Sequence, residues 1–292
     1  MFRLTAGVAA AEPVFAAAAA LLGADPREWV PTADAESLKG NRAAQILCTT
    51  QALAAHAALA PLLPERLIVA GYSVGQLGAW GVAGMLEPAA LLALAARRAE
   101  LMDQAGGAGD GLVSVRGLSR SRVEALAEAE RLEIAIVNPG DGYILGGPNA
   151  ALERFRQAAL DAGAQRSTLL AVSVASHTSR LASAVPALRE AICAAAPGPC
   201  CAGLVLLDGL EGNALFTRDR AIEALSRQIA EPVRWDSCLD AACERGASRF
   251  LELGPGRALA DMAAATYPAI PARGLEDFAS LDGVAEWLRR VS

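Results

Sequence analysis

Leu67-Ile68-Val69-Ala70 runs directly into Gly71-Tyr72-Ser73-Val74-Gly75, and a helical pattern begins at Leu77. A short apolar β-type run, a Gly-x-Ser-x-Gly and then a helix is the pattern of a nucleophile elbow, with the serine on a sharp strand-to-helix turn. Both glycines are expected to remove Cβ atoms that would clash in that turn. The hydroxyl would then stand out at the end of a parallel sheet, beside backbone N–H groups able to hold an oxyanion. The segment therefore predicts acyl transfer through an ester on Ser73.

The flanking elements fit an α/β fold. Helical patterns cover 11–22, 43–60, 77–85 and 88–102, with Pro88 suited to a first helical position. Gly106-Gly107-Ala108-Gly109 then breaks the chain. Beyond it, strand 112–115, helix 119–129, strand 132–137, a turn at 138–142, strand 143–145, helix 150–162 and strand 167–174 follow in the order β-α-β-β-α-β. That is a ferredoxin-like arrangement. The expected organisation is a small ferredoxin-like domain at 111–173, inserted into a larger α/β-hydrolase-like domain made of 1–110 and 174–292. In the larger domain, helix 179–194, strand 203–207, helices 221–229 and 236–245, strand 249–253 and helix 258–265 imply a mostly parallel sheet. Gly254-Pro255-Gly256 lacks the Lys-Ser/Thr of a phosphate-binding loop and reads as a turn near the cleft.

Composition narrows the function. The 292 residues are 53% hydrophobic with a net charge of −6, enough for a large core and without the basic face of a nucleic-acid binder. No stretch has the length and apolarity of a membrane span, and the alanine-rich 14–22 lacks the basic start and cleavage site of a signal peptide. Cys48, Cys193, Cys200, Cys201, Cys238 and Cys243 have no metal-like spacing with histidine. They read as reduced thiols of a cytoplasmic protein with no metal and no cofactor.

A serine hydroxyl needs a base, and histidine is the usual one. The chain has two histidines. His56 lies inside an alanine-rich helix and reads as structural, whereas His177, in Val174-Ala175-Ser176-His177-Thr178, falls at a strand end and at the expected domain junction. An α/β-hydrolase would place its triad in the order Ser, acid, His, with the histidine near the C-terminus. Here more than a hundred residues follow His177 and no carboxylate stands out as its partner. A hydrolase fits the elbow but not the rest.

The elbow, Arg97-Arg98-Ala99-Glu100-Leu101-Met102, Ser176-His177, Gln228 with Pro232-Val233-Arg234-Trp235, and Glu252-Leu253-Gly254-Pro255-Gly256 occur in an order that resembles the malonyl-CoA:acyl-carrier-protein transacylase family over essentially the whole chain. Within it, Tyr72 in place of the usual histidine and Ser176-His177-Thr178 are most similar to the epsilon subunit of malonate decarboxylase. The resemblance implies a malonyltransferase. It would take malonyl-CoA, use Ser73 as nucleophile and His177 as base, and pass the acyl group to an acyl carrier protein. The carrier would be the malonate decarboxylase subunit, with other subunits of that enzyme as partners. A fatty-acid or polyketide malonyl transacylase is the alternative, followed by a serine hydrolase or a non-catalytic carrier-docking member. The resemblance also implies that Arg98 pairs with the free carboxylate of the malonyl group, a task suited to a planar guanidinium. The backbone carbonyl of Gln228 would orient His177, the N–H of Val74 would face the oxyanion, and Gln76 and Asn138 would lie at the cleft. Arg97, ~100° away around the helix, reads as a solvated face.

Two features depart from that family. Gln76 replaces the usual glutamate after the elbow, and no Gly-Gln-Gly-x-Gln loop, the expected source of a second oxyanion N–H, precedes the region around Met1-Phe2-Arg3-Leu4. The expectation is that the chain begins late, at an internal methionine, and that its sheet lacks a strand near the centre.

Overall fold

The computed structural model describes residues 1–290. In chain order the elements are α1 (Glu12–Leu22), α2 (Pro26–Trp29), α3 (Ala35–Lys39), α4 (Asn41–Leu59), β1 (Leu67–Val69), α5 (Gly75–Val82) and α6 (Pro88–Ala105). Next come β2 (Asp110–Arg116), α7 (Arg120–Glu130), β3 (Glu133–Asn138), β4 (Gly142–Pro148), α8 (Asn149–Asp161) and β5 (Arg166–Leu169). The remainder is α9 (Val185–Ala194), β6 (Leu204–Leu206), α10 (Arg218–Arg227), β7 (Val233–Arg234), α11 (Trp235–Glu244), β8 (Phe250–Glu252), α12 (Ala258–Thr266), β9 (Ala272–Gly274) and α13 (Leu281–Arg289).

The elbow is built against a helical layer. Phe15 of α1, Ile46 and Leu53 of α4, Trp80 of α5 and Leu91 and Leu92 of α6 share one core cluster with Leu206 of β6. Two glycines let α5 lie close on α4. A Cβ on Gly81 would stand 2.1 Å from Leu53 Cδ2, and one on Gly78 would stand 2.9 Å from the Cβ of Ala52. Larger residues there would push α5, and the turn at its start, away from the core.

Two parallel two-stranded ladders occur, β1 with β6 and β8 with β9. The other sheet has the order β5-β2-β4-β3-β7, antiparallel except where β7 joins β3 in parallel. Side-chain alternation splits its two faces. Val113, Val115, Tyr143 and Leu145 pack on one side with Leu152 and Phe155 of α8. Leu112, Ile136 and Ile144 face the other way, toward Tyr72 of the elbow.

Several expectations change. The expected four-stranded sheet has a fifth strand, because Val233 and Arg234 pair with Ile136 and Val137. The expected strand 167–174 ends at Leu169, so His177 sits not on a strand end but in a tight turn eight residues beyond it. The expected helix 179–194 opens as a 3-10 turn, Ser179–Ala184, and becomes α9 only where Pro186 occupies its first turn. The short helices α2 and α3, strand β9 and helix α13 lay outside the reading.

Candidate active site

Ser73 lies between β1 and α5 with φ 52°, in the left-handed region. That conformation is uncommon for a residue with a side chain and persists only where the surroundings enforce it. Gly71 explains the enforcement, because a Cβ there would stand 2.1 Å from the backbone N of Gln76. Gly75 differs from expectation: a Cβ there would meet nothing within 4 Å, so only the first glycine of the pair is required by close approach.

Gln76 also departs from its expected place at the cleft. Its side chain is buried and bound to backbone at both ends, Oε1 accepting from Gly71 N at 3.1 Å and Nε2 donating to the Leu207 carbonyl at 2.8 Å. It fastens the elbow to the chain leaving β6. Gln76→Leu orphans both backbone groups and should lower stability by about 2–4 kcal/mol. Chemical denaturation checks this through a lower midpoint at unchanged slope.

Ser73 Oγ is 2.7 Å from His177 Nε2, across 104 positions of sequence. His177 Nδ1 is 2.5 Å from the Gln228 carbonyl. A carbonyl can only accept, so Nδ1 carries the proton and Nε2 is free to accept from the serine hydroxyl. His177 is held at φ 64°, its own N–H donating to the Ile229 carbonyl at 2.8 Å. Its turn is fastened from the five-stranded sheet. Glu133 of β3 accepts from Ser179 N and Oγ at 2.8 and 2.6 Å, and Asp110 of β2 pairs with Arg180 at 2.8 Å. Burial first and the Arg98 charge second lower the His177 pKa, against the Gln228 bond that raises it, to about 3. The imidazole is therefore neutral at physiological pH, with Nε2 free to accept from the serine hydroxyl.

Arg98, on α6, is 2% exposed. Its Nη1 donates to Gln45 Oε1 at 2.7 Å, while Nε and Nη2 have no partner. Burial lowers its pKa to about 10, which leaves it charged at neutral pH. A buried cation with one edge unpaired is costly unless an anion completes it. Arg97 points outward and meets Glu100 at 3.5 Å, as its position implies. His56, the other histidine, is half-buried in α4.

The N–H of Val74, adjacent to Ser73 at the start of α5, makes no backbone hydrogen bond among the described residues. It is placed to meet negative charge at a helix N-terminus. Asn138 ends β3, and its buried Oδ1 has no hydrogen-bond partner. Burial pushes the Tyr72 pKa up to about 12. The Tyr72 ring meets Trp235 edge to face at 5.5 Å. Gly254-Pro255-Gly256 is a turn after β8, with Gly256 N donating to Glu276 at 3.1 Å. All six cysteines are free thiols, and no metal-binding cluster occurs among the described residues. Nor is any helix among them long and apolar enough to cross a membrane.

Sequence reasoning missed Gln45, the hydrogen-bond partner of Arg98 Nη1. Its signal was a buried glutamine in a helix otherwise rich in alanine and leucine.

Known proteins match this chain along most of its length. The acyl transferase domain family matches residues 7–279. The malonyl-CoA acyl-carrier-protein transacylase of Mycobacterium bovis is 30% identical over 261 residues, 87% of this chain and 84% of that protein. The crystal structure of an acyl-carrier-protein S-malonyltransferase from Burkholderia pseudomallei superposes with a TM-score of 0.89 at 26% identity, covering 96% of this chain and 93% of the other. A malonyl-transacylase solved in complex with its type II polyketide acyl-carrier protein superposes with a TM-score of 0.87 at 25% identity, covering 97% and 94%. An elbow serine bonded to a carbonyl-oriented histidine, in a chain matched along nearly its whole length, places this protein in the acyl transferase family.

Proposed function

We propose that this protein transfers a malonyl group from malonyl-CoA, through an ester on Ser73, to the phosphopantetheine thiol of an acyl carrier protein. One observation carries the malonyl part. Arg98 is fully buried and keeps its Nε/Nη2 edge unpaired. That edge matches the two oxygens of a carboxylate, and malonyl differs from acetyl by a free carboxylate.

Ser73 Oγ attacks the thioester carbonyl as His177 Nε2 takes its proton. The Val74 N–H holds the tetrahedral oxyanion. As the C–S bond breaks, His177 returns the proton to the leaving thiolate, giving malonyl-Ser73 and free CoA. The carrier thiol then attacks the ester and the same steps run in reverse, with His177 first as base and then as acid. Gln228 keeps the imidazole in the required tautomer, and Asn138 lines the cleft beside Tyr72.

Tyr72 beside the nucleophile supports the carrier subunit of malonate decarboxylase as acceptor, with the other subunits of that complex as partners. The names of the relatives support a fatty-acid or polyketide carrier instead. The division into 1–110 with 174–292 and a ferredoxin-like 111–173 belongs to the same reading, supported by the strand order β5-β2-β4-β3. So does a cytoplasmic site of action.

The test is incubation with malonyl-CoA, mass spectrometry of Ser73, and a chase with each carrier. A malonyl adduct that Ser73→Ala abolishes, and that the carrier discharges, is the expected result. Free malonate without transfer would point to a hydrolase, and no adduct would point to a docking protein. The carrier that discharges the ester faster identifies the acceptor.

A further inference from the structure

The partner of Arg98 is part of a longer chain of hydrogen bonds. Gln45 is 5% exposed, and its Oε1 accepts from Arg98 Nη1. Its Nε2 donates to Asn41 Oδ1 at 2.8 Å and lies 3.5 Å from Met102 Sδ. Asn41 Nδ2 donates in turn to the Ala99 carbonyl at 3.2 Å and to Asp103 Oδ1 at 2.7 Å. Asn41 and Gln45 are four residues apart on α4, and Ala99 and Asp103 four apart on α6, so each pair shares one helix face. The chain spans the contact between the two helices, from a surface carboxylate to a buried cation.

Its polarity is fixed from the outside in. Asp103 Oδ1 and the Ala99 carbonyl both accept from Asn41 Nδ2. They hold Asn41 with its nitrogen toward α6 and its oxygen toward Gln45. Gln45 must then turn its nitrogen to Asn41 and its oxygen to Arg98. With either amide reversed, N–H would face N–H.

We infer that Gln45, set by Asn41 and Asp103, is a specificity-determining positioning residue: it anchors Arg98 through Nη1 by a neutral group, so that the Nε/Nη2 edge and the full positive charge are kept for the carboxylate of the acyl group. The inference rests on the malonyl reading of Arg98. A glutamate at position 45 could accept the same bond, and it would also supply the counter-charge that a buried guanidinium otherwise lacks. The amide fixes orientation without neutralising the charge.

The experiment compares acyl-Ser73 formation from malonyl-CoA and acetyl-CoA in the full chain and in Gln45→Glu, Asn41→Leu and Arg98→Ala. With an internal carboxylate on Arg98, Gln45→Glu should reduce the malonyl-to-acetyl ratio of kcat/KM roughly 100-fold. Asn41→Leu, at the half-buried start of α4, frees the Gln45 amide to reverse and should reduce the ratio roughly tenfold, chiefly through a higher KM for malonyl-CoA. A Gln45→Glu protein that loses both acyl groups equally, or keeps its ratio while Arg98→Ala loses it, overturns the positioning role and leaves the malonyl reading standing. If Gln45→Glu does not fold, an unchanged ratio in Asn41→Leu overturns it instead. A ratio unchanged in Arg98→Ala removes both.

Discussion

Arg98→Ala should lower malonyl transfer by ~10²–10³-fold while acetyl transfer from acetyl-CoA persists or rises, because removing one member of a buried charge pair costs ~2–5 kcal/mol, largely by stranding the other. The truncation leaves a cavity lined by Gln45 and the rest of the pocket. An acetyl group places nothing charged there, so it loses no partner. The measurement is the rate of acyl-Ser73 formation from each thioester. Equal loss of both acyl groups would show that Arg98 does not read the carboxylate. A second signature follows from the neighbouring imidazole. Burial is the main cause of the low His177 pKa, and the Arg98 charge is the next. Without that charge the His177 pKa rises, so the acid limb of the acetyl reaction should move to higher pH in the variant.

His177→Ala should slow acylation of Ser73 by ~10²–10⁴-fold, the usual worth of a positioned general base. Rapid-quench measurement of the adduct separates this step from turnover. In the unmodified protein the reactive form is the neutral imidazole. Its pKa near 3 means that the free enzyme keeps its base well below pH 6, where an ordinary histidine would be protonated. A bound carboxylate offsets the Arg98 charge, so the limb in kcat should lie at higher pH than the limb in kcat/KM. Stability carries the same signature with a definite sign. Between the unfolded value of 6.5 and about 3, the unfolded chain binds a proton at this residue that the folded chain refuses. Folding stability therefore falls as pH drops through that window, and His177→Gln should flatten that part of the slope. A slope identical in the variant would assign acid sensitivity to other groups.

The Ser73–His177 contact was anticipated because the signals for both residues are local. The elbow is a contiguous strand, turn and helix. The scarcity of histidine left His177 as the only one outside an alanine-rich helix. The β-α-β-β-α-β run was legible from alternating apolar periods, and the structure places those strands in one sheet. What escaped was long-range. Gln45 meets Arg98 across 53 positions, and no periodicity signals that contact. Val233 and Arg234 are too few to read as a strand, yet they extend the sheet by pairing with β3. The chain after β5 looked extended because Leu170, Val172 and Val174 alternate with small residues. It leaves the ladder because His177 must turn back to reach the carbonyls of Gln228 and Ile229. Gln76 looked like a cleft residue and serves as a backbone clamp, a role set by the distant Leu207 carbonyl.

The left-handed backbone at Ser73 also restricts which nucleophiles the scaffold can host. A cysteine carries a single heavy atom on Cβ and can replace serine at φ 52° with little added strain. Threonine, though it keeps the hydroxyl, is β-branched, and a branched residue in that region is a true outlier. Ser73→Cys is therefore compatible with this backbone and would form a thioester in place of the ester. The chemically smaller step to threonine is closed by backbone geometry rather than by reactivity.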